Sequence, residues 1–195
     1  LVDLGAHRLK DLARPERIWA LTHPDLPGVD TPLRSLDAFR QNLPVQPTPL
    51  IGRRSEVRAI VGELDRDRLV TLTGAGGVGK TRLAAQAAAE LVDRFPGGVW
   101  WVELAPLHDG TAIASTLLAA MGANEDGARP AAQVVFDRLA SEAALVVFDN
   151  CEHVTGPAAE FVATLLGRCP ELVVLATSRE PLGLPAEVTW RVPSL

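Results

Sequence analysis

The chain has 195 residues, 47% of them hydrophobic and 22% charged, which is the balance of an ordinary globular fold with room for one sizeable domain. Its formal net charge of −5 argues against broad electrostatic binding to nucleic acid by this segment, and no apolar run approaches the roughly 20 residues that a bilayer crossing needs. Cys151 and Cys169 make no disulfide framework and fit a reduced, cytoplasmic setting. No signal peptide is legible, and the start at Leu1 rather than Met reads as a piece of something longer.

Residues 1–23 alternate at Val2 and Leu4 and again from Leu9 to Leu12. They break at Pro15 and close on Ile18, Trp19 and Leu21. This predicts an amphipathic, hairpin-like piece too small to bury its own core. Residues 24–47 follow as a linker, because Pro24, Pro27, Pro32, Pro44 and Pro47 resist both helix and central strand. A short helix over 35–42 is predicted inside it, with Leu36 and Phe39 on the same side as Leu43. The main domain is expected over 48–195. It opens with LIGRRSE (50–56) and a helix over 55–64 whose Val57, Ile60, Val61 and Leu64 share one face. Ile51, Gly52 and Arg53 suit the side of a purine ring, and equally an ordinary helix cap.

The organising stretch is LVTLTGAGGVGKT, residues 69–81. A β-type run, Leu69 to Thr73, feeds the glycine turn Gly74-Ala75-Gly76-Gly77-Val78-Gly79. Lys80, Thr81 and Arg82 follow, then an alanine-rich helix over 83–92. This is the strand–GxxxxGK[ST]–helix pattern of a phosphate-binding loop. Glycines let successive N–H groups turn inward around an anion, and the helix start adds its own unpaired N–H groups and positive dipole end. In that pattern Lys80 reaches the β- and γ-phosphates and the Thr81 hydroxyl ligates Mg²⁺.

Downstream, VWWVEL (99–104) reads as a strand that sends Trp100 and Trp101 to opposite faces. Helices are predicted over 111–121 and 130–139, around a polar loop at 122–130. The run ALVVFD (144–149) is a strand buried on both faces that delivers Asp149 at its C-terminal end, where a Mg²⁺-organising carboxylate belongs. Glu152 suits the polarising of an attacking water, or equally a charge at a helix start; His153 suits a structural hydrogen bond. A helix over 157–168 leads to ELVVLAT (171–177) and then Ser178-Arg179. Beside the Asp149 strand, Arg179 would report the γ-phosphate; the alternative is a surface arginine in a loop. EVTWRV (187–192) is the last strand.

Two resemblances follow from these residues. VDLGAHRLKDLARPERIWAL looks like the closing strands of a class III nucleotide cyclase domain, with the family's metal-binding aspartates and catalytic residues absent, so no cyclase activity is expected from this piece. LIGRRSE, GAGGVGKT, LVVFDNCEH and LATSREPLG, over about 48–195, resemble the STAND-class signal-transduction ATPases, which include NB-ARC domains. That resemblance implies an α/β three-layer sandwich with a five-stranded parallel sheet of order 5-1-4-3-2. It implies ATP or ADP with Mg²⁺ as cofactors and an adenine-side segment at Ile51, Gly52 and Arg53. The phosphate loop runs from Gly74 to Thr81 with Arg82 beside it, Asp149 is the metal carboxylate, and Arg179 is the sensor. Asn150 stands where a carboxylate often directly follows the first, and slow hydrolysis is expected. A cyclase domain upstream, helical repeats and a helix-turn-helix domain downstream are the implied partners, with no membrane and no direct nucleic-acid contact by this segment. Two other functions stay open: a small-molecule P-loop kinase, for which the 122–130 loop offers only Arg129, and a nucleotide-independent interaction domain of a DNA-binding regulator.

Overall fold

A computed structural model of the chain describes residues 1–9, 12, 14–23, 35–46, 48–124, 127 and 129–194. It opens with an antiparallel pair, β1 (Val2–His7) and β2 (Glu16–Ala20). Lys10 and Asp11 of the Leu9–Leu12 stretch lie outside the described residues. A turn bond joins the Leu12 N–H to the Leu9 carbonyl at 3.3 Å, and β2 starts after Pro15. Proline's fixed φ and missing N–H suit the threshold of a strand. No residue of β1 or β2 is buried. The predicted linker's prolines at 24, 27, 32 and 47 lie outside the described residues.

The helix predicted over 35–42 is only one 3₁₀ turn, Leu36–Ala38. The reason lies across the sheet edge. The Val99 N–H donates to the Arg40 carbonyl at 2.9 Å, and the Asn42 amide brackets Trp101, accepting from its N–H at 2.6 Å and donating to its carbonyl at 2.9 Å. Extended backbone satisfies an exposed strand edge, which a helix cannot do. Leu36 and Leu43 are buried in the domain's core, so part of the expected linker is packed.

The domain proper runs α1 (Arg54–Leu64), β3 (Leu69–Thr73), α2 (Lys80–Leu91), β4 (Val99–Glu103), α3 (Ile113–Ala120), α4 (Ala131–Leu139), β5 (Ala144–Asp149), α5 (Thr155–Arg168), β6 (Leu172–Ser178) and β7 (Val188–Arg191). The five strands from β3 on form one parallel sheet in the order β4-β5-β6-β3-β7. Counted from the phosphate-loop strand, that is the expected 5-1-4-3-2.

Period-two alternation divides the core. Leu145 and Val147 of β5 pack with α1 and α2, while Val146 and Phe148 pack with α3, α4 and α5. Trp100 and Trp101 split the same way. α2 is rich in buried alanines, including Ala84, Ala87 and Ala88, which lets its backbone approach the sheet closely. The helix predicted over 111–121 is divided, a 3₁₀ turn at Gly110–Ala112 preceding α3. A side-chain carbon on Gly110 would stand 1.9 Å from Pro157 Cβ, so this entry is pressed against α5. Glu125, Asp126 and Ala128 of the polar loop lie outside the described residues. Among those described, no helix is long and apolar enough to cross a membrane.

Candidate functional site

The C-terminal ends of β3, β5 and β6 bring the candidate residues together. All five residues of β3 are buried, and the chain leaves it through Gly74, Gly77 and Gly79, each at positive φ (147°, 80° and 94°). Side chains are disfavoured in that region, so the glycines make the turn possible. A carbon placed on Gly76, Gly77 or Gly79 would meet no atom within 4 Å; the loop borders open space. The Lys80 side chain folds back into the loop. Its Nζ donates to the Gly74 carbonyl at 2.9 Å and the Ala75 carbonyl at 3.1 Å, and the residue is only 6% exposed.

Asp149 ends β5 and is 3% exposed. Its Oδ1 accepts from the Thr81 hydroxyl at 2.9 Å and from the Thr177 hydroxyl at 2.6 Å. Burial pushes the carboxyl above its ordinary range; the two hydroxyls pull it back, while the carboxylates of Glu103 and Glu152 add to the rise. Thr177 in turn accepts from the Asn150 N–H at 3.0 Å. Asn150 takes a left-handed conformation, φ 62° and ψ 55°, a region asparagine tolerates better than most residues, and so turns the chain out of β5.

Thr177 and Glu103 were missed by sequence reasoning. Only the structure's parallel register brings them in: it pairs Phe148 with Ala176 and Asp149 with Glu103, so the next residue of β6 falls beside the carboxylate.

The Glu152 Oε1 lies 3.3 Å from Arg179 Nε, so these two predicted residues meet. The other oxygen, Oε2, is buried and has no hydrogen-bond partner among the described residues. His153 Nε2 lies 3.1 Å from the Leu104 carbonyl, a structural bond. Cys151 is fully buried and its thiol is pushed up to about 12 by burial, which leaves it no nucleophilic part here. Cys169 is buried too, just past the end of α5.

The 48–53 strap is tied to the first turn of α2 through Arg82. Ile51 is 84% exposed and Gly52 has φ +76°. A cavity of about 470 Å³ is lined by Pro49, Leu50, Ile51, Gly52, Arg54 and Ser55. Arg82 points at the strap: its guanidinium donates to the Thr48 carbonyl at 2.7 Å, the Thr48 hydroxyl at 3.1 Å and the Pro49 carbonyl at 3.1 Å. Arg53 is turned inward and is 6% exposed. It donates to Glu56 at 2.9 Å and to the Pro193 carbonyl at 3.0 Å. The Ser55 hydroxyl, the Glu56 amide and Arg53 hold the Glu56 carboxyl below its usual range.

The AAA ATPase domain family matches residues 49–184, most of the chain, with the glycine loop, Asp149, Thr177 and Arg179 inside the match. The chain belongs to that family. As an AAA ATPase domain it is 46% identical over 134 residues to a Mycobacterium tuberculosis protein named "Putative HTH-type transcriptional regulator", a match covering 68% of this chain and 15% of that protein. The chain therefore spans about a seventh of that relative's length. Among solved structures, the Walker-type ATPase of Pyrococcus abyssi superposes with TM-score 0.56 at 16% identity, over 78% of this chain and 56% of that one. A Signal Transduction ATPase with Numerous Domains from Pyrococcus horikoshii, which carries a tetratricopeptide repeat sensor, superposes with TM-score 0.50 at 20% identity, over 73% and 23%. At such identities these two likenesses speak for the P-loop fold alone.

Proposed function

We propose that this AAA ATPase domain is an adenine-nucleotide switch within a larger signalling or transcriptional regulator, binding ATP or ADP with Mg²⁺ and hydrolysing ATP slowly. The observation that carries the reading is the Thr81–Asp149 hydrogen bond beneath an open glycine loop. One hydroxyl and one carboxylate, meeting at 2.9 Å, are the sparse oxygen donor set that suits Mg²⁺, a cation that keeps several waters and takes the rest of its shell from phosphate. Bound there, the ion supplies charge neutralisation of the phosphates.

The chain's own groups divide the remaining work. Lys80 exchanges its two loop carbonyls for phosphate oxygens, so its ammonium is kept in place before the ligand arrives. Backbone N–H groups from 74 to 81 orient the phosphates. The exposed Ile51 and the left-handed Gly52 cover one side of the base. Glu152 is the candidate base for water, and Arg179, now paired with it, is the group that distinguishes the triphosphate. Asn150 in place of an adjoining carboxylate favours slow turnover and hence long-lived states, as a switch needs. The Mycobacterium relative's name supports a helix-turn-helix regulator as the parent, and residues 1–23 support a cyclase-like domain ahead of this one.

Titration with a fluorescent ATP analogue and Mg²⁺ tests the proposal. Lys80→Ala removes a charged phosphate partner, at a cost of about 3 kcal/mol, and binding should weaken on the order of a hundredfold. Unchanged affinity in that variant would overturn the reading.

A further inference from the structure

We infer that Arg53 is a positioning residue that fastens the nucleotide strap to the segment leaving the sheet, so that occupancy of the pocket is felt at residues 191–194. The inference rests on the nucleotide-binding reading above and adds to it the route by which the pocket speaks to the chain after β7.

Arg53 is the residue just before α1, directly after Ile51 and Gly52 of the strap. A guanidinium taken out of water is costly unless its N–H groups are used, and here two different partners use them. One is Glu56, a turn further along the same helix. The other is the Pro193 carbonyl, 140 positions away. The planar fork suits two acceptors at once, which a lysine ammonium on a flexible stem would not hold in the same geometry.

The far end of this link is itself built onto the phosphate loop. β7 runs parallel to β3, and their last register pair is Thr73 with Arg191. The Val192 N–H then donates to the Thr73 carbonyl at 2.8 Å. Val192 is buried, and a carbon on Gly74 would stand 3.4 Å from its carbonyl. The exit segment therefore touches the first glycine of the loop on one side and Arg53 on the other. A shift of the strap tip around a bound base pulls on Pro193 through Arg53, and a shift of the loop pushes on Val192 directly. With its side chain buried and engaged this way, Arg53 acts on the ligand through the strap rather than by touching the base.

Amide hydrogen exchange of the whole 195-residue chain tests this, with and without ADP and Mg²⁺, in the wild type, Arg53→Gln and Arg53→Lys. In the ligand-free protein Arg53→Gln should speed exchange at Val192 by roughly tenfold, and Arg53→Lys nearly as much, while the amides of Leu72 and Leu175 keep their protection. ADP should slow Val192 in the wild type and leave it unslowed in both variants. Equal slowing in wild type and Arg53→Gln would overturn the inference, as would a loss of ATP-over-GTP preference with Val192 exchange unmoved, which is the mark of direct base contact. If Arg53→Gln does not fold, Glu56→Gln should produce a smaller change of the same sign, and no change there counts against the link. Failure of the wild type to bind any nucleotide sinks the switch reading instead; the ligand-free comparison then still decides whether Arg53 holds the exit segment.

Discussion

Between Gly74 and Thr81 the site grows out of a strand whose five residues are all buried, whereas between Thr48 and Arg53 it hangs from two guanidinium groups and leaves Ile51 84% exposed. In the loop half, Asp149 ties the first turn of α2 to the ends of β5 and β6 through Thr81 and Thr177. The strap half can move for the loss of a few hydrogen bonds, each worth about 1 kcal/mol, or somewhat more where a charge is involved. On the proposed reading the two halves do different work: one receives phosphate and metal, and the other covers the rest of the ligand.

The largest effect that tests this division belongs to the loop half. Thr81→Ala removes the hydroxyl proposed to face the metal and one of the two bonds that Asp149 accepts. Affinity measured with Mg²⁺ should fall by about 2 kcal/mol, roughly thirtyfold, while affinity measured with chelator present barely changes. Mg²⁺ dependence that survives in Thr81→Ala would break the loop half of the comparison.

A smaller effect belongs to the strap. Arg82→Met keeps most of the apolar stem and deletes the bonds to Thr48 and Pro49. Loosening the cover should cost about 1 kcal/mol, near fivefold in affinity, with Mg²⁺ dependence intact. A loss as deep as that of Thr81→Ala would mean that Arg82 belongs with the phosphate receptor after all, as the sequence pattern suggests.

Legibility followed the same division. The glycine turn, Lys80 and Thr81 were readable because a phosphate loop is a local construction: its strand, turn and helix are contiguous, and each residue's part is fixed by its neighbours in sequence. β5 was readable to the residue because burial on both faces leaves a continuous apolar run, and its final carboxylate has no business in a core. The order of the strands came from the family resemblance, and the register shows why it holds, since it sets Thr73, Asp149 and Thr177 at one edge. What could not be read depends on groups far apart in sequence. Nothing local shows that Arg53 reaches Pro193, that Arg82 turns to Thr48, or that 40–42 would stay extended to cover β4. Helical spacing at Leu36, Phe39 and Leu43 suggested a helix there, and the needs of a strand edge 59 residues away decided otherwise.

The smallest effect has the opposite sign and shows what the rigid half costs. Asp149 is buried and its carboxyl titrates above the ordinary value of 3.8. For an acid raised in the native state, the native form binds the proton more tightly than the unfolded chain does. Stability is therefore unpenalised well below the unfolded pKa, is lost as pH rises from there through the native value, and stays lower above it. Asp149→Asn removes the buried charge, and its amide oxygen still accepts from Thr81 and Thr177. Urea unfolding of the ligand-free protein should then show Asp149→Asn more stable than wild type at pH 7, with the gain shrinking to nothing near pH 3. With Mg²⁺ and nucleotide present the order should reverse at pH 7, because the wild type gains the metal's charge and the variant does not. An equal gain at both pH values would mean that charge burial is not its source. A loss at pH 7 without ligand would mean that the two threonine hydroxyls already compensate the carboxylate in full.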